Sequence, residues 1–456
     1  MLKNISFLYA LGFCSFLFYG RNLDGLINGL SILNCIFVFY LSVAGNPFPL
    51  GNVAVWEESL LLFMKKLLLI FLIATLLPFQ LRAGGARVSV LTCSPGDEAY
   101  SLFGHTALRY CDESSATDLV FNYGYFDFGS PNFIWRFIIG ETDYMVGAVP
   151  FRIFLIEYKT RGAEVVEQVL NLTEEQKALL IERLVANCEP ENRVYRYNYF
   201  YNNCTTKVRD MVASVLGDDS LHYSPAGFKE GITFRDEIER LTSPHPWYKF
   251  GISLLLGSDI DKPATQQLLQ FIPANYSKDL DAATIELAGG ETVPMVLERN
   301  ILLEKVETQV PHSNITPFNL SLLLLLLTFV VMLCELRSKK CFWVYDVLLM
   351  LLQGLCGLLL LFMATFSQHP AVGANWLLLL LNPLALLVMP VLVLAIRKKR
   401  PLKIAWVQVV FVLLFIVSGI FSLQVYPAPI YFCAIALLVR SLFHIYKDRI
   451  CDLNIV

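Results

Sequence analysis

Between residues 318 and 445 the chain carries five apolar stretches in close succession: 318–334, 342–366, 372–396, 404–423 and 430–445. An α-helix crosses a bilayer core with about 20 apolar residues at about 1.5 Å each, so this part predicts a module of five transmembrane helices. The third stretch contains Asn382-Pro383, which predicts a break inside it and backbone groups freed toward a cavity. The whole chain is 55% hydrophobic and only 16% charged, where a soluble domain carries about 25% charge. With a formal net charge of -3 and no basic tract interleaved with aromatics, it offers nucleic acid no electrostatic footing.

The loops set the orientation. Lys and Arg follow the first stretch (Arg337, Lys339, Lys340) and the third (Arg397, Lys398, Lys399, Arg400, Lys403), and return at the tail (Arg440, Lys447, Arg449), whereas loops 367–375 and 424–429 contain none. Basic loops stay on the cytoplasmic side, so everything before residue 318 is expected outside. Met64-Lys65-Lys66, an apolar run over 67–77, Pro78 and the small-residue exit near Ala83 form a secretory signal peptide. Four parts result. Residues 1–63 read as an upstream extension, with additional membrane segments near 5–19 and 32–44 as the other reading. Residues 64–83 are the signal, 84–315 an exported domain of ordinary soluble composition, and 316–456 the membrane module.

Chemistry concentrates in the exported domain. Val208, Met211, Val212, Val215 and Leu216 recur at i, i+3, i+4, i+7 and i+8 with Gly217 as the stop, one face of an amphipathic helix. Cys204 lies on that stripe at the first turn, behind Asn202 or Asn203 as N-cap. The positive end of a helix favours a thiolate; a plain buried cysteine is the alternative. Of the six histidines, His105, His222, His245 and His312 are exported, and only His105 opens an alternating, strand-like segment, directly after Phe103-Gly104. A second strand over 119–126 follows a polar turn, and if the two pair as a hairpin Asn122 is a neighbour of the imidazole; a strand or turn amide bonded to backbone is the alternative. Further strands are expected at 87–92, 144–149 and 163–170, and Thr173-Glu-Glu-Gln176 is a capping box opening a helix to about residue 186. The fold class is therefore α+β, a nucleophile helix packed on an antiparallel sheet that carries the base. Neither a metal-ligand spacing, a phosphate loop nor a Gly-x-Ser-x-Gly elbow is present, so no metal or cofactor is expected. The exported compartment permits one disulfide among Cys93, Cys111 and Cys188, Cys93 with Cys111 being the candidate pair.

Three motifs, Phe103-Gly-His-Thr-Ala-Leu-Arg109, Phe121-Asn-Tyr-Gly-Tyr-Phe-Asp-Phe128 and Asn203-Cys-Thr-Thr-Lys-Val-Arg-Asp210, followed by Leu256-Gly-Ser-Asp-Ile-Asp261 and Ser367-Gln-His-Pro-Ala-Val-Gly-Ala-Asn375-Trp376, resemble the Bacteroides-type lipoprotein N-acyltransferase (Lnb) family over about residues 64–445. The exported domain is similar to circularly permuted papain-like proteins, in which His precedes Cys. The resemblance implies an inner-membrane enzyme whose periplasmic domain moves a fatty acyl chain from a phospholipid or lipoprotein donor, through a Cys204 thioester, to the α-amine of a diacylated lipoprotein. Cys204 would be the nucleophile, His105 the base and Asn122 its orienting amide. Asn203, Thr205, Tyr197, His369 and Asn375 are the candidate substrate-binding residues; for His369 and Asn375, in an outward-facing loop at a helix mouth, merely solvated or capping groups are the alternative. The Tyr-rich run before Cys204 reads either as the lining of an acyl groove or as aromatic core. The competing readings are an exported papain-like peptidoglycan peptidase or amidase, and a membrane receptor with a degenerate site.

Overall fold

In the computed structural model, which describes residues 85–453 apart from 128, 130, 217–220, 288, 307–313 and 399–403, the alternating segments of the exported part become one sheet. Its strands are β1 (Arg87–Cys93), β2 (His105–Asp112), β3 (Thr117–Tyr125), β4 (Asp143–Pro150), β5 (Val165–Leu170), β6 (Val194–Arg196) and, far later in the chain, β10 (Val296–Leu303). The order is β10-β5-β1-β2-β3-β4-β6 and every pair is antiparallel. A smaller three-stranded sheet holds β7 (Leu221–His222), β8 (Thr284–Glu286) and β9 (Thr292–Pro294). The mixed α+β class and the antiparallel sheet agree with the reading of the sequence. The signal segment, residues 1–63, Gly217, His312, Lys399, Arg400 and Lys403 lie outside the described residues.

Side chains alternate across a strand, and the two faces have separate cores. Val88, Val90, Leu108 and Phe121 pack with helix α3 (Glu174–Cys188) and helix α4 (Cys204–Leu216). Leu91, Cys93, Ala107 and Val120 pack with helix α2 (Phe151–Thr160), whose Phe154 and Tyr158 are buried. Thr173 closes the expected capping box on α3 with Gln176. Between β3 and β4 stands a six-residue helix, α1 (Phe133–Ile138), with no buried residue. Short helices Phe234–Thr242 and Pro246–Leu255 form a third layer around Phe200, Phe234 and Phe271, while helix Pro273–Asp281 adds Tyr276 and Leu280 to the core shared with α3 and α4.

The cysteine pairing does not occur. Cys93, Cys111 and Cys188 are free, and the β1–β2 register sets Cys93 opposite His105 but Cys111 opposite Arg87. The two thiols stand at opposite ends of the ladder, about 20 Å apart at the usual strand rise, well beyond disulfide reach.

In the membrane part, α5 (Pro317–Ser338), α6 (Trp343–Phe366), the stretch Trp376–Ala395 and α9 (Ala428–Leu453) supply four spans long and apolar enough to cross a bilayer. The fifth apolar helix, α8 (Ile404–Ile420), has 17 residues. It reaches only about 25 Å against a hydrocarbon core of about 30 Å, so among the described residues the expected five become four full-length spans and one shorter helix that joins the basic end to the loop at 424–425. The third span breaks as its Asn-Pro pair requires. A 3-10 turn (Trp376–Leu379) ends before Asn382, and α7 (Leu384–Arg397) begins after Pro383. Gln353 of α6 donates to the Leu380 carbonyl at 2.7 Å and Asn382 Oδ1 accepts the Leu384 N–H at 2.9 Å, so groups opened by the break find partners.

Both loops that lack Lys and Arg dock on the sheet domain. Gly257 and Ser258 donate to the Ala371 and Ala374 carbonyls at 2.7 and 2.8 Å, Gln368 donates to the Ile139 carbonyl at 2.8 Å, and Val425 donates to Asp261 at 3.0 Å. The far ends of the helices gather the basic residues, where Lys447 reaches the Lys340 carbonyl. Charge asymmetry and docking thus give the same sidedness.

Candidate active site

Gly104 sets the position of His105. Its φ of +82° favours glycine, and a Cβ there would lie 2.6 Å from the Cys93 carbonyl, so no larger residue fits. The turn delivers His105 as the first residue of β2. Asn122 on β3 is paired with Ala107, one diagonal step away on the same face, and its Oδ1 meets His105 Nε2 at 2.7 Å. The Asn122 amide nitrogen donates to the Tyr125 hydroxyl at 3.0 Å, which orients the oxygen toward the ring. Nε2–H is therefore the donor, and Nδ1 is the ring nitrogen left for the thiol. Tyr158 of α2 stacks over the imidazole with centroids 6.3 Å apart.

Cys204 enters from the other side as the first residue of α4. Asn203 is the cap: its Oδ1 accepts the Thr205 and Thr206 N–H groups, both at 2.9 Å, while its Nδ2 donates to the Tyr199 and Phe271 carbonyls at 3.0 and 2.7 Å. Thr205 Oγ1 lies 3.1 Å from Thr106 Oγ1 on β2 and 3.8 Å from Cys204 Sγ, which stitches the helix start to the strand that carries His105.

Electrostatics couple the two side chains. Burial alone would raise the Cys204 thiol. The His105 charge, with hydrogen bonds from His105, the Thr106 N–H and the Thr205 hydroxyl, outweighs it and holds the thiol below its ordinary value. Burial likewise opposes a charged His105, but the Cys204 charge and the hydrogen bonds to Cys204 and Asn122 raise the imidazole above its ordinary value. Each group thus favours the charged form of the other, and the N-terminal pole of α4 adds to the lowering of the thiol. Gly124 leaves the space beside it open. With φ at +112°, a Cβ there would stand 3.9 Å from His105 Cε1 and 4.0 Å from the Cys204 Cβ.

The remaining candidates separate. Tyr197 stacks on Tyr144 at 4.2 Å, and both hydroxyls are raised by burial and then by the Cys204 charge, Tyr144 to about 12. His369 lies farther along, its ring 5.4 Å from Tyr199 and 5.5 Å from Phe137, with Nε2 donating to the Phe137 carbonyl. Asn375 belongs to the fold. It is buried, donates to the Leu254 and Leu255 carbonyls, and accepts from Leu377 N–H and Gln424, so no part of its amide is left for a substrate. Sequence reasoning missed Gly124, Tyr125, Thr106 and Tyr158. The glycine inside the strand motif Asn122-Tyr-Gly-Tyr125 was the available signal, since a strand interior loses packing there. Among the described residues Cys341, Asp346 and His444 bring possible metal ligands within 4.8 Å of one another. Asp346, however, already receives two hydrogen bonds from Arg440, and this cluster sits at the basic end of the helices, away from Cys204.

Two family models match the chain: one described as the Lnb N-terminal periplasmic domain over residues 80–230, which contains His105, Asn122 and Cys204, and one described as the Lnb transmembrane domain over residues 308–449. No curated protein and no solved structure matches it. The two matches follow each other in the order read from the sequence, a periplasmic domain and then a membrane domain.

Proposed function

The chain belongs to the Lnb family, and from that membership and the geometry around Cys204 we propose that it is a lipoprotein N-acyltransferase of the inner membrane with a Cys-His-Asn site. In this reading residues 64–83 are the export signal, 84–315 a permuted papain-like catalytic domain in the periplasm, and 316–456 the membrane domain. The observation that carries the proposal is the line Asn122 Oδ1, His105, Cys204, with the thiol lowered and the imidazole raised, held against membrane helices on their outward side.

The steps balance as an acyl transfer. The Cys204 thiolate attacks the carbonyl carbon of an acyl ester, from a phospholipid or a lipoprotein. The C–O bond breaks, and the leaving alkoxide takes the proton from His105, which leaves a thioester and a neutral imidazole. The α-amine of a diacylated lipoprotein then attacks the thioester carbonyl. His105 takes the amine proton, the C–S bond breaks, and an amide and the thiolate result. Asn122 keeps Nε2–H engaged, so the proton moves through Nδ1. Thr205 and Thr206 give their N–H groups to Asn203, and the Cys204 N–H at the helix start serves as the oxyanion donor. Exclusion of water beside the bilayer favours the amine over hydrolysis.

The test uses the purified full chain in phosphatidylethanolamine vesicles with a synthetic diacylated lipopeptide. Intact-protein mass spectrometry should show one acyl group on Cys204 before the lipopeptide is added and an N-acyl lipopeptide afterwards, and Cys204→Ala should lose both. Peptide release from peptidoglycan with no N-acyl product would establish the peptidase or amidase reading instead.

A further inference from the structure

The site needs a route by which a fatty chain leaves the bilayer and reaches Cys204. Six aromatic side chains between the thiol and the membrane helices form a closed circuit. One rail is Phe126, Phe133 and Phe137, with successive centroids 6.1 and 6.2 Å apart. The other is Tyr144, Tyr197 and Tyr199, at 4.2 and 5.6 Å. Phe126 and Tyr144 join the rails at one end at 4.9 Å, and Phe137 and Tyr199 join them at the other at 6.4 Å. None of the six is fully buried.

The two ends of this circuit differ. One end stands at the nucleophile: Gly124, two residues before Phe126, would bring a Cβ within 4.0 Å of the Cys204 Cβ, and the Cys204 charge raises the Tyr144 and Tyr197 hydroxyls after burial does. At the other end α1 stands beside the outward end of α6: Trp135 packs on Phe362 of α6 at 5.3 Å, and Ser367 and His369, just past the end of α6, bond to the Ile138 and Phe137 carbonyls. The outer face of α1 stays apolar and open, with Ile134 75% and Trp135 54% exposed. A short helix that exposes Ile and Trp beside the outward end of a membrane span meets lipid, where Trp is favoured. The aromatic surface is thus continuous from the outer leaflet to the nucleophile.

We propose that the open side of these touching aromatic rails, a shallow trough running along them, binds the fatty chain that is to be transferred, entering over α1 from the outer leaflet and lying with its ester carbonyl at Cys204. The occupant is the donor's chain, rather than the chains already on the acceptor, because the path ends at the sulfur that must carry the acyl group. Ring faces and edges suit a flexible methylene chain, to which they give dispersion contact without fixing its register. Tyr199 and Phe137 stand at the membrane end and set how long a stretch of the chain is gripped. This inference rests on the acyl-transfer reading above.

The experiment compares two acyl esters on the full-length protein: p-nitrophenyl butyrate, too short to span the trough, and phosphatidylethanolamine with C16 chains in vesicles. Acylation of Cys204 is followed by intact mass. In Tyr199→Ala and Phe137→Ala the long-chain rate should fall roughly tenfold, the effect of leaving about two methylene groups of the fatty chain unburied, with the butyrate rate unchanged; Tyr199→Phe should keep both rates. Unchanged rates with both esters would overturn the trough while leaving Cys204 chemistry intact. Parallel loss with both would overturn it as well, since the rings would then be serving the fold of the site. If the wild type acquires no acyl group from either ester, the acyl-transfer reading falls and the trough with it.

Discussion

A thiol and an imidazole that share a buried contact titrate as a pair, so the reactivity of Cys204 depends on His105 as much as on sulfur. The directions are fixed by the structure: the thiol is lowered and the imidazole raised. Each charged form is stabilised by the other, so the thiolate forms at lower pH than in an ordinary cysteine and the imidazole keeps its proton to higher pH than in an ordinary histidine. Iodoacetamide should therefore alkylate Cys204 efficiently below the ordinary cysteine range of about 8.5. In His105→Ala the burial penalty remains and its largest offset is gone, so the midpoint should move upward, past the ordinary value. Alkylation by pH in both proteins, followed by mass, checks this; coincident midpoints would remove His105 from the thiol's environment. Acyl transfer should fall on the alkaline side, where His105 no longer carries the proton the leaving alkoxide needs.

At the scale of elements, helix α4 is held at its start by one side chain. Asn203 accepts two N–H groups of the first turn and gives two hydrogen bonds to Tyr199 and Phe271. Removing a cap costs about 1 to 2 kcal/mol, and here two buried carbonyls also lose their donor. Asn203→Ala should lower the unfolding temperature and slow Cys204 alkylation together. Asn203→Asp keeps the acceptor but sets a carboxylate beside the thiolate, so its alkylation midpoint should move to higher pH than that of wild type, a shift that loss of stability alone does not produce. The cap is readable because it depends on neighbours in sequence, as are the β2–β3 hairpin, the α3 capping box and the apolar stripe of α4. Contacts between distant segments are not. Val296–Leu303 joins β5 across more than a hundred residues, and its pattern carries no mark of that partner. The Cys93–Cys111 expectation fails for the same reason: two cysteines on adjacent strands look close until the register puts them at opposite ends. Asn375 reads as a polar group at a helix mouth, and only the docking of loop 367–375 on residues 254 and 255 shows where its amide is used.

At the scale of the whole molecule, polar anchors stand at both ends of the membrane module. The outward end docks the sheet domain through loops 367–375 and 424–425. The basic end is tied by Arg440 of α9, whose guanidinium pairs with Asp346 of α6 at 2.6 and 2.8 Å and with Glu335 of α5 at 2.7 and 3.1 Å, all three being buried. Ionised groups at such depth persist only when paired, and removing one partner of a buried pair typically costs about 3 to 5 kcal/mol because the other charge is left uncompensated. Arg440→Met leaves two carboxylates in that position, so its unfolding temperature in detergent should drop sharply, and adding Glu335→Gln and Asp346→Asn should recover much of the loss. The cluster lies at the opposite end of the helices from Cys204, so the alkylation midpoint of Arg440→Met, measured well below its unfolding temperature, should match the wild type. A shifted midpoint in the folded variant would mean that the two ends of the helices are mechanically coupled, and the basic-end cluster would then have to be counted among the groups that shape the active site.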